Sequence, residues 1–284
     1  DAVLGRGRDH AALGPQRVQH RRVREQRDAV MAETVHGFPS DPRLKSGPSV
    51  TLFIRAAVDR GMAPPLVLDI DGTLSRADRS IEPRGLDVLG HWEAPVVVAT
   101  GKATPYPVAL CQFSGLPPRA IAETGGVAVT EGSFHYLGAP EAADAVAATF
   151  RERGFDPGWG EADLVNRWRE TELAVSREAP LDELRDIAAA EGLDVVDTGF
   201  AYHVKDAAVS KGRALEQVAA DLDLDPATFV AVGDSENDVS TFEVVDRSFA
   251  VANADAAAKD AADEVTDGAY ADGFLEAVSE WRPV

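Results

Sequence analysis

The chain has 284 residues, 45% of them hydrophobic, with 48 Asp+Glu, 28 Lys+Arg and a single cysteine. That length admits two compact domains with sizeable cores, and one cysteine, Cys111, excludes an internal disulfide and a cysteine metal site, so it reads as a small buried hydrophobe. A net charge of −20 repels nucleic acid and anionic membranes; no apolar run approaches the length of a membrane span and no secretory signal is recognisable, so no membrane partner and a cytoplasmic location are expected.

The segment 1–61 differs from the rest. It carries 11 Lys+Arg against 7 Asp+Glu, whereas the remainder carries 17 against 41. Arg21, Arg22, Arg24 and Arg27 lie in a polar stretch without an apolar period, Pro39, Pro42 and Pro48 follow, and only Val50–Val58 resembles a short element. One reading is a basic arm for nucleic acid, which would make the chain a binding module. The other, adopted as the expectation, is an upstream extension from a misassigned start codon, with Met31 or Met62 as alternative starts.

From Met62 onward strand and helix patterns alternate, which predicts a parallel sheet covered by helices. The strand candidates are Leu66–Ile70, Pro95–Ala99, Ala120–Ala122, Phe229–Val232 and Ser248–Ala252. Lys211–Leu222 reads as a helix because Leu215, Val218, Ala219 and Leu222 recur at helical spacing. Glu123-Thr124-Gly125-Gly126 and Glu131-Gly132 read as turns around a short hairpin.

Four polar clusters follow apolar strands or open helices. They are Asp69 and Asp71 after Leu66-Val67-Leu68; Thr100-Gly101-Lys102 after Val96-Val97-Val98-Ala99; Lys211 after Ser210; and Gly233-Asp234-Ser235-Glu236-Asn237-Asp238 after Phe229–Val232. Singly, each has a bland reading as a turn, a helix cap or a solvated charge. Together they match the needs of phosphoryl transfer: a nucleophile, charge neutralisation and proton management. A carboxylate can attack phosphorus, and a second carboxylate two positions on can protonate the leaving alkoxide and then activate water. Asp69, Asp234 and Asp238 can supply an oxygen site for Mg²⁺. Lys211 offers a fixed positive charge to the phosphoryl oxygens and Thr100 a hydroxyl hydrogen bond.

The run Asp69-Ile70-Asp71-Gly72-Thr73-Leu74, with Thr100, Lys211 and Gly233-Asp234-Ser235-Glu236-Asn237-Asp238, resembles the haloacid dehalogenase superfamily of phosphatases from position 62 to about 280. The resemblance implies a Rossmann-like α/β core and a phosphate-ester hydrolase. It makes Asp69 the nucleophile and Asp71 the general acid/base, with the Asp71 backbone carbonyl at the metal. Thr100, Gly101 and Lys211 hold the phosphoryl group, and Asp234 and Asp238 complete the Mg²⁺ site. Aspartate at 71, where the superfamily's ATPases carry threonine, favours ester hydrolysis.

Spacing locates a second module. The interval from Asp69 to Thr100 has room for one helix and a return strand, whereas the interval from Thr100 to Lys211 is far longer than one crossover needs. The surplus predicts an insertion at 139–204, between core segments 62–138 and 205–284. It reads as helix Glu141–Arg153, strand Glu172–Arg177, helix Leu181–Glu191 and strands Leu193–Val196 and Phe200–Val204, a small sheet with helices on one face. It is similar to the compact α/β cap of one subclass of the superfamily, and the chain resembles that subclass's archaeal phosphoglycolate phosphatases. The substrate so implied is 2-phosphoglycolate; a phosphosugar phosphatase or phosphomannomutase-like enzyme is the alternative. Thr124 stands where such relatives often have asparagine. Arg167, Arg169 and Arg177 are candidate cations for a carboxylated substrate, though charge balance on an acidic surface is the favoured account of them. Trp168 is read as packing and His203 as a satisfied structural histidine. The acidic, lysine-poor composition resembles that of proteins from salt-accumulating archaea, where high ionic strength screens self-repulsion. Assembly is left open, a homodimer included.

Overall fold

The structure, a computed structural model, describes residues 63–281. The basic segment 1–61, with its expected roles as arm or extension, lies outside the described residues, as does Met62.

The five strands expected from apolar runs lie within one eight-stranded sheet in the order β11-β10-β9-β1-β2-β3-β4-β5. Its parallel part comprises β1 Leu66–Asp69, β2 Val96–Ala99, β3 Ala120–Ala122, β9 Val230–Gly233, β10 Arg247–Ala250 and β11 Glu264–Val265. Antiparallel β4 Val127–Val129 and β5 Phe134–Tyr136 extend it, so the expected hairpin gains a third strand. Continuous apolar runs are explained by burial on both faces. Leu66, Leu68, Val96, Val98, Val230 and Val232 point to one core, with Leu89 of α1 (Pro83–Gly90), Cys111 of α2 (Pro105–Phe113) and Phe274 of α8 (Tyr270–Ala277). Val67, Val97, Ala99, Phe229 and Ala231 point to the other, with Leu215 and Val218 of α5 (Lys211–Asp221), Phe242 of α6 (Glu236–Phe242) and Ala258 of α7 (Ala256–Ala261). Each such Leu, Val or Phe contributes about 1.5–3 kcal/mol of burial. Cys111 is free and buried, and burial pushes its thiol up to about 12, as an inert core residue requires.

The second sheet is small and antiparallel, in the order β6-β8-β7, built from β6 Leu173–Val175, β7 Asp194–Asp197 and β8 Tyr202–Lys205. The helices α3 Pro140–Glu152 and α4 Leu181–Ala190 cover one face of it around Val146, Phe150, Leu184 and Ile187, a cluster separate from the two cores of the large sheet.

Strand β11 is not among the expected elements, and the expected elements differ at their ends. The first strand stops at Asp69 because Ile70 enters a wide turn, in which the Ser75 amide donates to the Ile70 carbonyl at 2.9 Å. Helix α5 starts at Lys211 as expected, with the Ser210 side chain accepting the Arg213 amide hydrogen at 3.3 Å.

Candidate active site

Strands β9, β1 and β2 are adjacent, and all three point their C-terminal ends to one edge of the sheet. The chain leaves β1 toward β2 on one side and returns through β9 on the other, so this edge is a topological switch point, where ligands bind in open α/β sheets. Asp69 is the last residue of β1, Thr100 follows β2 and Asp234 follows β9.

Lys211 joins them. Its ammonium is fully buried and donates to Asp69 Oδ1 at 2.7 Å and to Asp238 Oδ1 at 2.6 Å. The other oxygen of Asp238 accepts the amide hydrogens of Asp234 at 3.0 Å and Ser235 at 3.2 Å, capping α6. Both Asp238 oxygens are thus engaged within the protein. Asp234 Oδ1 accepts the Thr73 hydroxyl at 3.3 Å. Its Oδ2 packs on Gly72, where a Cβ would come within 2.0 Å of it. Gly72 has φ +85°, a conformation glycine adopts without strain, and Asn253 Nδ2 donates to its carbonyl at 3.0 Å.

The electrostatics are those of crowded, desolvated acids. Burial raises Asp69 well above the usual carboxylate range, and burial together with Asp238 raises Asp234 to about 7. Burial alone would lower Lys211, but Asp238 and Asp69 outweigh it and hold the ammonium above its ordinary value. Three carboxylates share this place with one ammonium, an excess of two negative charges when all are ionised. Hard oxygen donors with that excess suit a divalent cation. Asp69 and Asp234 have the carboxylates available for one, whereas Asp238 would first have to release Lys211 or the Asp234 and Ser235 amides.

Asp71 projects outward and pairs with Lys102 at 2.7 Å, both side chains being more than a third exposed. Thr100 is buried, and its hydroxyl oxygen accepts the Lys102 amide hydrogen at 3.1 Å. The Gly101 carbonyl accepts from Arg169 Nη1 at 3.0 Å. Arg169 also pairs with Glu172, and Glu172 lies 3.2 Å from His203 Nδ1. Of the three arginines read as candidate cations, Arg169 is the one in contact with the Thr100 loop, whereas Arg177 is exposed and pairs with Asp197 at 3.1 Å.

Thr73, Asn253 and the Arg169–Gly101 contact complete the arrangement; Thr73 and Asn253 carry no role expected from the sequence, and the contact joins a candidate cation to a phosphate-loop glycine in a way no spacing indicates. Thr73 lies inside the Asp69–Leu74 run. Asn253-Ala254-Asp255 follows the β10 candidate as a fifth polar cluster at a strand end, a signal of the same kind as the other four. Nothing local distinguishes Arg169 from its neighbours.

A family model described as haloacid dehalogenase-like hydrolase matches residues 185–278. The chain is 61% identical over 219 residues to a phosphoglycolate phosphatase of Halobacterium salinarum, covering 77% of this chain and 97% of that one. It is 56% identical over 223 residues to the phosphoglycolate phosphatase of Natronomonas pharaonis, covering 78% and 99%. A crystal structure from Thermoplasma acidophilum superposes with a TM-score of 0.66 at 24% identity, covering 78% of this chain and 98% of that one, which bears on the fold.

Proposed function

Because this chain belongs to the haloacid dehalogenase-like hydrolase family, we propose that it hydrolyses small phosphate monoesters through an aspartyl-phosphate, with 2-phosphoglycolate as substrate and Mg²⁺ as cofactor. The observation that carries the mechanism is Lys211, buried between Asp69 and Asp238 beside Asp234 at the sheet's switch point. The substrate assignment rests on the relatives at 61% and 56% identity that bear the name phosphoglycolate phosphatase.

In this reading an Asp69 oxygen attacks phosphorus and the bond from phosphorus to the ester oxygen breaks. Asp71, having taken a proton from solvent on parting from Lys102, gives it to the leaving alkoxide, releasing glycolate. Asp71 then takes a proton from water, whose oxygen attacks the aspartyl-phosphate and frees inorganic phosphate and Asp69. The exposed Asp71–Lys102 pair costs about 1 kcal/mol or less to part, so Asp71 can turn to the leaving oxygen. Lys211 and the Thr100 hydroxyl hold the phosphoryl oxygens as charge shifts among them. Asp69, Asp234 and the Asp71 backbone carbonyl would hold Mg²⁺, and Asp238 is assigned to positioning Lys211 and the Asp234 and Ser235 amides. The ion, when bound, would neutralise the repulsion between nucleophile and dianionic ester. The 139–204 module is the cap, closing over this edge and choosing the ester.

The test is a substrate panel with purified protein. Phosphate release from 2-phosphoglycolate is expected to exceed that from sugar phosphates, to stop with a chelator and to return with Mg²⁺. Equal rates on sugar phosphates would give the assignment to a phosphosugar phosphatase, and full activity in Asp69→Asn would end the aspartyl-phosphate mechanism.

A further inference from the structure

Beyond position 61 the chain has four lysines, Lys102, Lys205, Lys211 and Lys259. Two of them, Lys102 and Lys211, pair with carboxylates of the site. Lys205 ends β8, six positions before Lys211. Along β8, Tyr202 and Val204 pack toward the helix-covered cluster, so His203 and Lys205 project from the opposite face. That face leads to the Thr100 loop: His203 contacts Glu172, Glu172 pairs with Arg169, and Arg169 donates to the Gly101 carbonyl.

The cations on this route differ in what they have left to give. Lys211 is taken by Asp69 and Asp238, Lys102 by Asp71, and Arg169 by Glu172 and the Gly101 carbonyl. Lys205 is half-buried, and among the described residues no carboxylate lies within ion-pair distance of its ammonium. Asp194 stands opposite it in register but is exposed, and Asp206 follows it in the chain. A half-buried ammonium without a counter-ion is costly unless a ligand supplies one.

We propose that the Lys205 ammonium takes the carboxylate of the substrate, so that the site selects phosphate monoesters bearing a carboxylate close to the ester oxygen. The proposal rests on the phosphatase reading above. It divides the substrate between two lysines: Lys211 on the edge of the large sheet for the phosphoryl group, and Lys205 at the end of β8 for the acid. Burial, opposed by Asp206 and reinforced by Lys211, lowers Lys205 to about 8, and a bound carboxylate would raise it again.

The test compares kcat/KM for 2-phosphoglycolate with that for 2-hydroxyethyl phosphate, in which an alcohol replaces the carboxylate. The wild-type protein is expected to prefer the acid by roughly 10- to 100-fold, the worth of a charge-assisted hydrogen bond. Lys205→Gln should bring that ratio close to one, mainly through KM for the acid, and Lys205→Arg should keep part of it. A thermal melt of each variant checks that it is folded. A folded Lys205→Gln protein with the wild-type ratio overturns the assignment. If 2-phosphoglycolate is not preferred but 3-phosphoglycerate is, and Lys205→Gln erases that preference, Lys205 keeps its role and only the named substrate falls. A wild-type phosphatase that prefers no carboxylated ester overturns the role of Lys205 while leaving the mechanism intact.

Discussion

The Glu123 carboxylate accepts the Thr171 amide hydrogen at 2.7 Å, joining two loops 48 positions apart. The Thr171 hydroxyl donates to the same oxygen at 2.7 Å, and the Glu170 amide to the other at 2.9 Å. Glu123 follows β3 of the large sheet, while Glu170 and Thr171 lead into β6 of the small one. One buried acid therefore fixes the segment through which the chain enters the second sheet.

Removing that acid should cost stability. Glu123→Ala leaves buried donors at 170 and 171 without an acceptor and should lose about 3 kcal/mol of unfolding free energy. Glu123→Gln keeps one oxygen and should lose less. Denaturant midpoints measure both, and equal midpoints for wild type and Glu123→Ala would refute the claim that this carboxylate holds the junction.

Gly72→Ala should separate activity from stability. The positive φ costs alanine about 1 kcal/mol. The larger effect is local: the new Cβ would stand 2.0 Å from Asp234 Oδ2, so that carboxylate must move. A loss of kcat/KM of roughly 100-fold is expected with a shift in melting temperature of only a few degrees. A variant that retains at least half the wild-type kcat/KM would show that the position of Asp234 does not matter to turnover.

What the sequence makes legible here depends on distance along the chain. Val96-Val97-Val98-Ala99-Thr100 announces a buried strand with a polar residue at its end, and the same logic finds Asp69 and Asp234. The stretch between Thr100 and Lys211 far exceeds one crossover, so an insertion can be inferred from length alone. The Glu123–Thr171 and Arg169–Gly101 contacts have no such trace. A buried carboxylate meeting amides of a distant loop follows from how the two sheets and their loops pack, and no local period encodes it. Asp238 illustrates a subtler limit. Its place in the motif is plain, but that one oxygen serves Lys211 and the other the Asp234 and Ser235 amides emerges only from the geometry of the helix start.

Lys211→Met is expected to destabilise and inactivate together. It removes the one ammonium between Asp69 and Asp238, leaving two buried acids unpaired, and breaking such a pair costs about 3–5 kcal/mol. Loss of the charge held at the phosphoryl oxygens should lower kcat by roughly 1,000-fold in protein that remains folded. Unfolding curves and turnover measured on the same samples test both, and a stable variant with wild-type kcat would remove Lys211 from both roles.

His203 gives a pH dependence with a defined sign. Burial, with Arg169 and Lys205 nearby, lowers its imidazole to about 3 from an ordinary 6.5, so it stays neutral in the fold. Arg169 already balances Glu172, so the neutral ring is left to donate through Nδ1 to that carboxylate. In the unfolded chain His203 takes up a proton below 6.5. Its contribution is therefore complete above that value and is lost as pH falls from 6.5 toward about 3, by up to roughly 1.4 kcal/mol per pH unit. Acidic carboxylates add their own dependence over part of this range, so the measurement is a difference. Unfolding free energy of wild type minus His203→Gln, at constant ionic strength, should shrink steadily as pH is lowered from 6.5 to about 4.5. A difference that stays constant over that interval would mean that His203 is protonated in the folded protein.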